Sequence, residues 1–250
     1  VRRKMSDLRI DLSEMKGWAE SLRGRTWGGG GEDDRRGGRA RSAALSFIRW
    51  IAIAMAVCVL PFVVLLRGGV FAYRGWGLGT WPSLMLAALA TALVLGVYAW
   101  IVGRWIGVTG RARKLFTRAA AGVGIAYVLY ALVFVAGANV KSGDVRSEYR
   151  SLHPLLRVAS SALVLADPAA VITDAGRTVD EYRRMGLPTN EASLHFAQED
   201  GYVHALDLRT NGRWALRNRV VQVAFRAFGF HTLRHVGTAD HLHVSLRMPE

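Results

Sequence analysis

From residue 43 to residue 140 the chain carries eight basic residues and not one aspartate or glutamate. Three uncharged, largely apolar runs lie within that stretch, at residues 50–66, 84–102 and 119–138. A helix needs about 20 apolar residues to cross a bilayer, and about 17 serve when flanking arginines reach the interface. The first run is the shortest and holds Pro61, but Arg49 and Arg67 bound it, so it reads as a span that borrows neighbouring residues. Two further runs follow it, unlike the single short stretch of a cleaved signal peptide. The expectation is three membrane-spanning helices, with Trp76, Trp81, Trp100 and Trp105 near the run ends as interface anchors. With no acid inside the membrane there is no evident ion relay, so the helices read as an anchor.

Charge sets the expected orientation. Arg35, Arg36, Arg39, Arg41 and Arg49 precede the first run, and Arg104, Arg111, Arg113, Lys114 and Arg118 lie between the second and third. Only Arg67 and Arg74 lie between the first and second. Basic residues favour the cytoplasmic side, which places the N-terminus inside and residues 141–250 outside. The formal net charge of +14 is thereby accounted for by topology, and no nucleic-acid partner is expected.

Three regions follow. Residues 1–42 are a cytoplasmic segment. Leu8, Leu12, Met15, Trp18 and Leu22 sit at helical spacing, as in a surface helix or a frayed tail, and residues 28–42 form a flexible Gly/Arg-rich linker. Val1 is followed closely by Met5, an alternative start. Residues 43–140 are the membrane anchor, and residues 141–250 a small α+β domain with an antiparallel sheet. In that domain, helices are expected over 145–165, bent at Pro154, and over 213–228, ended by Gly229. Strands are expected over 170–173, 192–195, 203–208 and 241–247.

The only cysteine, Cys58, lies in an apolar run, which excludes an intramolecular disulfide and cysteine-based metal sites. All seven histidines follow residue 150, and six fall between His195 and His243. In a strand, His241 and His243 share one face while Leu242 turns to the core. Two imidazoles and a carboxylate on neighbouring strands would leave a metal one open coordination position, as catalytic zinc sites do. A single such histidine is by default a hydrogen-bonded structural residue, so the inference rests on the set.

Ser193-x-His195, then His204-Ala205-Leu206-Asp207-Leu208, then Asp240-His241-Leu242-His243, together with residues 171–177 ending in Arg177, resemble the zinc D-alanyl-D-alanine carboxypeptidase and phage endolysin family. That family shares the lysostaphin and hedgehog-like fold. The resemblance covers about residues 170–247 and implies Zn2+ held by His195, Asp207 and His243. It also implies Asp240 as general base, Arg177 as the cation for an oxyanion or substrate carboxylate, and His241 as a group orienting a ligand. Eleven residues separate His195 from Asp207, more than is usual in the family. His204 is therefore a rival ligand, although in a regular strand it would face away from Asp207. Asp174 stands where the family commonly has a small polar residue.

The function expected is a membrane-anchored zinc metallopeptidase hydrolysing peptide bonds in cell-wall peptidoglycan, of D,D-carboxypeptidase or endopeptidase type. It would sit in the bacterial cytoplasmic membrane with its C-terminal domain periplasmic or extracellular. The competing expectation is a non-catalytic module that binds zinc or wall peptides. Asp200-Gly201 reads as a turn only, His231 and His235 as solvent-facing or capping residues, and the arginines of 209–219 as a solvated helix face. The sequence leaves the oligomeric state open.

Overall fold

The structure is a computed structural model that describes residues 33–184, 186, 188–237 and 240–249. The amphipathic segment and the first part of the linker lie outside the described residues. The described residues from Ala56 onward belong to one compact unit.

Helix α1 is Asp33–Gly75, α2 Thr80–Trp105 and α3 Gly110–Val133. Three helical stretches, Leu45–Gly75, Thr80–Trp105 and Gly110–Val133, are long and apolar enough to cross a membrane. Residues 33–42, read from the sequence as linker, are already helical. Alanine and arginine are strong helix formers, and a long helix can carry the glycine pair between them.

Beyond the third helix the chain builds α4 (Gly143–Glu148), α5 (Pro154–Ala166), β1 (Ile172–Asp174), α6 (Val179–Arg184), β2 (Ala205–Arg209), α7 (Ala215–Ala227), β3 (His231–His235) and β4 (His241–Ser245). The single helix expected over 145–165 is broken, because Pro154 opens α5 and the His153 side chain accepts the Leu155 N–H as its cap. The strand expected at 192–195 is absent and turns stand in its place. The sheet is antiparallel throughout, in the order β1-β2-β4-β3. Its edge strand β3 was not foreseen, since His231-Thr232-Leu233-Arg234-His235 buries only Thr232 fully.

Leu206, Leu208, Leu242 and Val244 alternate along β2 and β4 and form the buried face. They join one core with Leu152, Leu155 and Leu156, with Leu65, Leu66 and Val70 of α1, and with Ala131 of α3. The division expected at residue 140 is therefore not a boundary of packing. Polar contacts reinforce the junction: Arg157 donates to the Leu132 carbonyl at 2.6 Å, and the Tyr149 hydroxyl lies 2.9 Å from the Ala131 carbonyl. Both serve carbonyls at the end of α3 that have no partner within the helix. Among the 209–219 cluster, Arg213 and Arg217 clamp Asp167 and buried Asn218 holds the Thr210 carbonyl, so these three are structural.

Gly229 closes α7 at φ +97°, and a Cβ there would lie 2.9 Å from Val70 Cγ1 of α1. Gly212 also has positive φ, +73°, but nothing lies within 4 Å of its Cβ position. Gly229→Ala is expected to lower stability by more than about 1 kcal/mol, and Gly212→Ala by less. Thermal unfolding of the full chain checks this, and equal losses would mean that the α1 contact is not close.

Candidate metal centre

On the face of the sheet opposite the core, register places Asp207 of β2 beside His243 of β4, and Arg209 beside His241. A shift in register between Ile172 and Asp174 brings Asp174 next to Asp207 on the other side. The third histidine arrives from a loop. The Arg177 N–H donates to the His195 carbonyl at 2.8 Å, and the Ser193 hydroxyl accepts the His195 N–H at 3.3 Å. The long connection from His195 to Asp207 folds back on itself: Gln198 N–H bonds the Tyr202 carbonyl, and Gly201 takes φ +80°. The extra residues are absorbed in this excursion, and His195 still meets Asp207.

His195 Nε2 lies 3.2 Å from His243 Nδ1 and 3.4 Å from Asp207 Oδ1, and His243 Nδ1 lies 2.9 Å from the same oxygen. Three donor atoms thus converge, and the group can hold a metal ion. Bonds of about 2.0–2.1 Å in a tetrahedral site imply donor separations of about 3.3 Å, close to those observed. Asp207 and His195 are 4 % and 5 % exposed. Burial works to raise the Asp207 pKa, but hydrogen bonds from His195 and His243 and the charges of His195 and His241 outweigh it and hold the carboxyl well below its usual range. His195 Nδ1 is buried without a hydrogen bond, and Asp174 Oδ1 lies 3.6 Å from it. A small ring rotation would make the imidazole–carboxylate contact that commonly orients metal-binding histidines.

His241 Nε2 stands 3.6 Å from Asp207 Oδ2, and its ring stacks on His235 at 4.6 Å. Arg177 is fixed by Asp174, with Nε at 2.9 Å and Nη2 at 2.8 Å. Both residues line a cleft of about 250 Å³ with Lys141, Glu148 and Arg184.

Asp240 is not brought to this group. It accepts two hydrogen bonds from Arg234, each 2.7 Å, and one from Thr210 at 2.6 Å. Arg234 pairs in register with Leu242, which by strand alternation lies on the face opposite His243. The bonds from Arg234 and Thr210 hold the Asp240 pKa down to about 2.

The rival ligand His204 faces away from Asp207 and belongs to a second cluster with His153 and Asp200. His204 Nδ1 faces the Leu246 carbonyl at 3.1 Å and Nε2 faces both Asp200 oxygens at 3.0 Å. Asp200 also accepts from Tyr73 at 3.3 Å, Thr80 at 3.2 Å and the Tyr202 N–H at 3.1 Å. His153 accepts the Leu155 N–H at Nδ1, which leaves its proton on Nε2, 3.0 Å from the Thr80 hydroxyl. Burial, then the charge of His204, pushes the His153 pKa down to about 3 and keeps the ring neutral. This second group could also hold a metal ion, and its contacts with Tyr73 and Thr80 form a hydrogen-bond network tying α1 and α2 to the sheet. Asp200 is thus more than the turn residue expected, and no local signal joins it to His153, 47 positions earlier.

No family model matches the chain, and neither a curated protein nor a solved structure does.

In the full chain, His195→Ala, Asp207→Ala and His243→Ala are expected to abolish stoichiometric metal binding, and Asp174→Asn to weaken it by about tenfold. His204→Ala should keep the metal. Elemental analysis with chelator competition checks this, and a His204→Ala protein as metal-free as His195→Ala would overturn the ligand assignment.

Proposed function

We propose that this chain is a membrane-anchored zinc metallopeptidase that hydrolyses peptide bonds of cell-wall peptidoglycan. The observation that carries the reading is the convergence of His195 Nε2, Asp207 Oδ1 and His243 Nδ1 within 3.4 Å of one another. Two imidazoles and one carboxylate, with no cysteine, form a donor set suited to zinc. The motif resemblance around Ser193, His195, Asp207 and His243 supports the substrate class. The arginine bias about the three spans supports a domain on the outer side of the cytoplasmic membrane, where that polymer lies.

Bound zinc would supply acidification of a water molecule and polarisation of the scissile carbonyl. Arg177, held by Asp174 through Nε and one terminal nitrogen and hydrogen-bonded to Tyr182, would offer the rest of its guanidinium to a substrate carboxylate or an oxyanion. Asp240 is a weak base at a pKa of about 2 and lies on the other face, so it serves to fix the turn into β4. His241, with Nε2 3.6 Å from Asp207 Oδ2 and its side chain about one-quarter exposed, is the residue beside the centre that would accept the proton.

One observation favours the second reading, a non-catalytic zinc or wall-peptide module: the acid that the motif assigns as base is committed to Arg234. The full chain in detergent, loaded with zinc and incubated with muropeptides, separates the two. The enzyme reading expects cleavage that falls by about 10²-fold or more in His241→Ala, with zinc retained, and little change in Asp240→Asn protein that remains folded. Full zinc occupancy without turnover on any wall peptide establishes the module.

A further inference from the structure

At the domain-side end of α3 two cavities adjoin. One, of about 330 Å³, lies between Tyr130 and Phe134 on one side and Ser161 and Leu165 of α5 on the other. The second, of about 510 Å³, is lined by Arg146 and Arg150. Phe134 and Tyr149 line both. The first is walled mainly by apolar and aromatic groups, while the second is lined by two exposed arginines four positions apart, Arg146 in α4 and Arg150 in the 3-10 turn that follows it. Neither arginine forms an ion pair among the described residues.

The position of the pair says what fills it. Helix α3 is one of the three long and apolar enough to cross a membrane; in a bilayer its end would lie at the surface, and near that end Tyr130 and Leu165 are 51 % and 64 % exposed. An apolar slot beside a spanning helix is bathed by acyl chains. A pair of arginines at the same depth faces phosphate groups, whose oxygens match the planar donor fork.

We propose that the two cavities together bind one anionic phospholipid of the surrounding bilayer, with an acyl chain between Phe134 and Leu165 and the phosphate between Arg146 and Arg150. Such a lipid would bridge α3 to α4 and α5 and hold the C-terminal region against the membrane surface. The site is separate from the histidine centre and does not depend on its chemistry.

The test uses the full chain, delipidated in detergent, with dioleoylphosphatidylglycerol, dioleoylphosphatidylcholine or inorganic phosphate as probe. Native mass spectrometry counts bound lipid and thermal unfolding reports its effect. The expected result is one retained phosphatidylglycerol, bound about tenfold or more tightly than phosphatidylcholine, with no response to inorganic phosphate. Arg146→Glu/Arg150→Glu alters only exposed side chains and should erase the preference, while Ser161→Trp, which fills the slot, should weaken both lipids. Bound zinc, measured in the same samples, should be unchanged in the arginine variant. An undiminished preference in that variant, or an equal response to inorganic phosphate, would overturn the proposal.

Discussion

A carboxylate taken almost wholly out of water governs the C-terminal region. Removing a charge from solvent costs several kcal/mol unless partners replace the lost hydration, and around Asp207 those partners are imidazoles. His195 and His243 meet the same oxygen, while His241 stands by the other. Two imidazole nitrogens 3.2 Å apart and aimed at one carboxylate oxygen form a donor set that a cation at their centre would satisfy together. The register of β2 on β4, the bulge at β1 and the folded-back loop before Val203 all act to bring these atoms to one point.

The same architecture ties the centre to the three long apolar helices. The strand that carries Asp207 on one face sends Leu206 and Leu208 into a core shared with Leu65, Leu66 and Val70 of α1. The network of Asp200, His204, Thr80 and Tyr73 adds directional bonds at that junction, and Arg157 and Tyr149 close the end of α3. The sheet therefore does not stand apart on a tether. Its hydrophobic face is completed by the helices that would anchor it.

Parts of this were legible from residue order because they follow from short-range periodicity. The three apolar helices follow from run length, and the shared face of His241 and His243 with Leu242 turned inward follows from strand alternation. The same alternation separates His204 from Asp207, three positions on, and the structure shows them on opposite faces. Long-range features were not legible. His195 sits on turns where a strand was expected, since its position is set by Arg177 and by the loop rather than by local propensity. The pairing of His153 with Asp200 has no spacing signature, and β3 was hidden because an edge strand needs few buried residues. Asp240 satisfies the motif by position, yet a neighbouring Arg234 claims it, and only the pairing of β3 with β4 reveals that.

In the proposed enzyme His195, Asp207 and His243 share one zinc ion. X-ray absorption at the zinc edge on the full chain tests it most directly. A shared ion gives one zinc per chain, with scattering from two imidazole nitrogens and from oxygen at about 2.0–2.2 Å, lost when His243 is replaced. A chain that takes up no zinc, or one whose zinc spectrum survives loss of His243 and disappears with loss of His153, would contradict it.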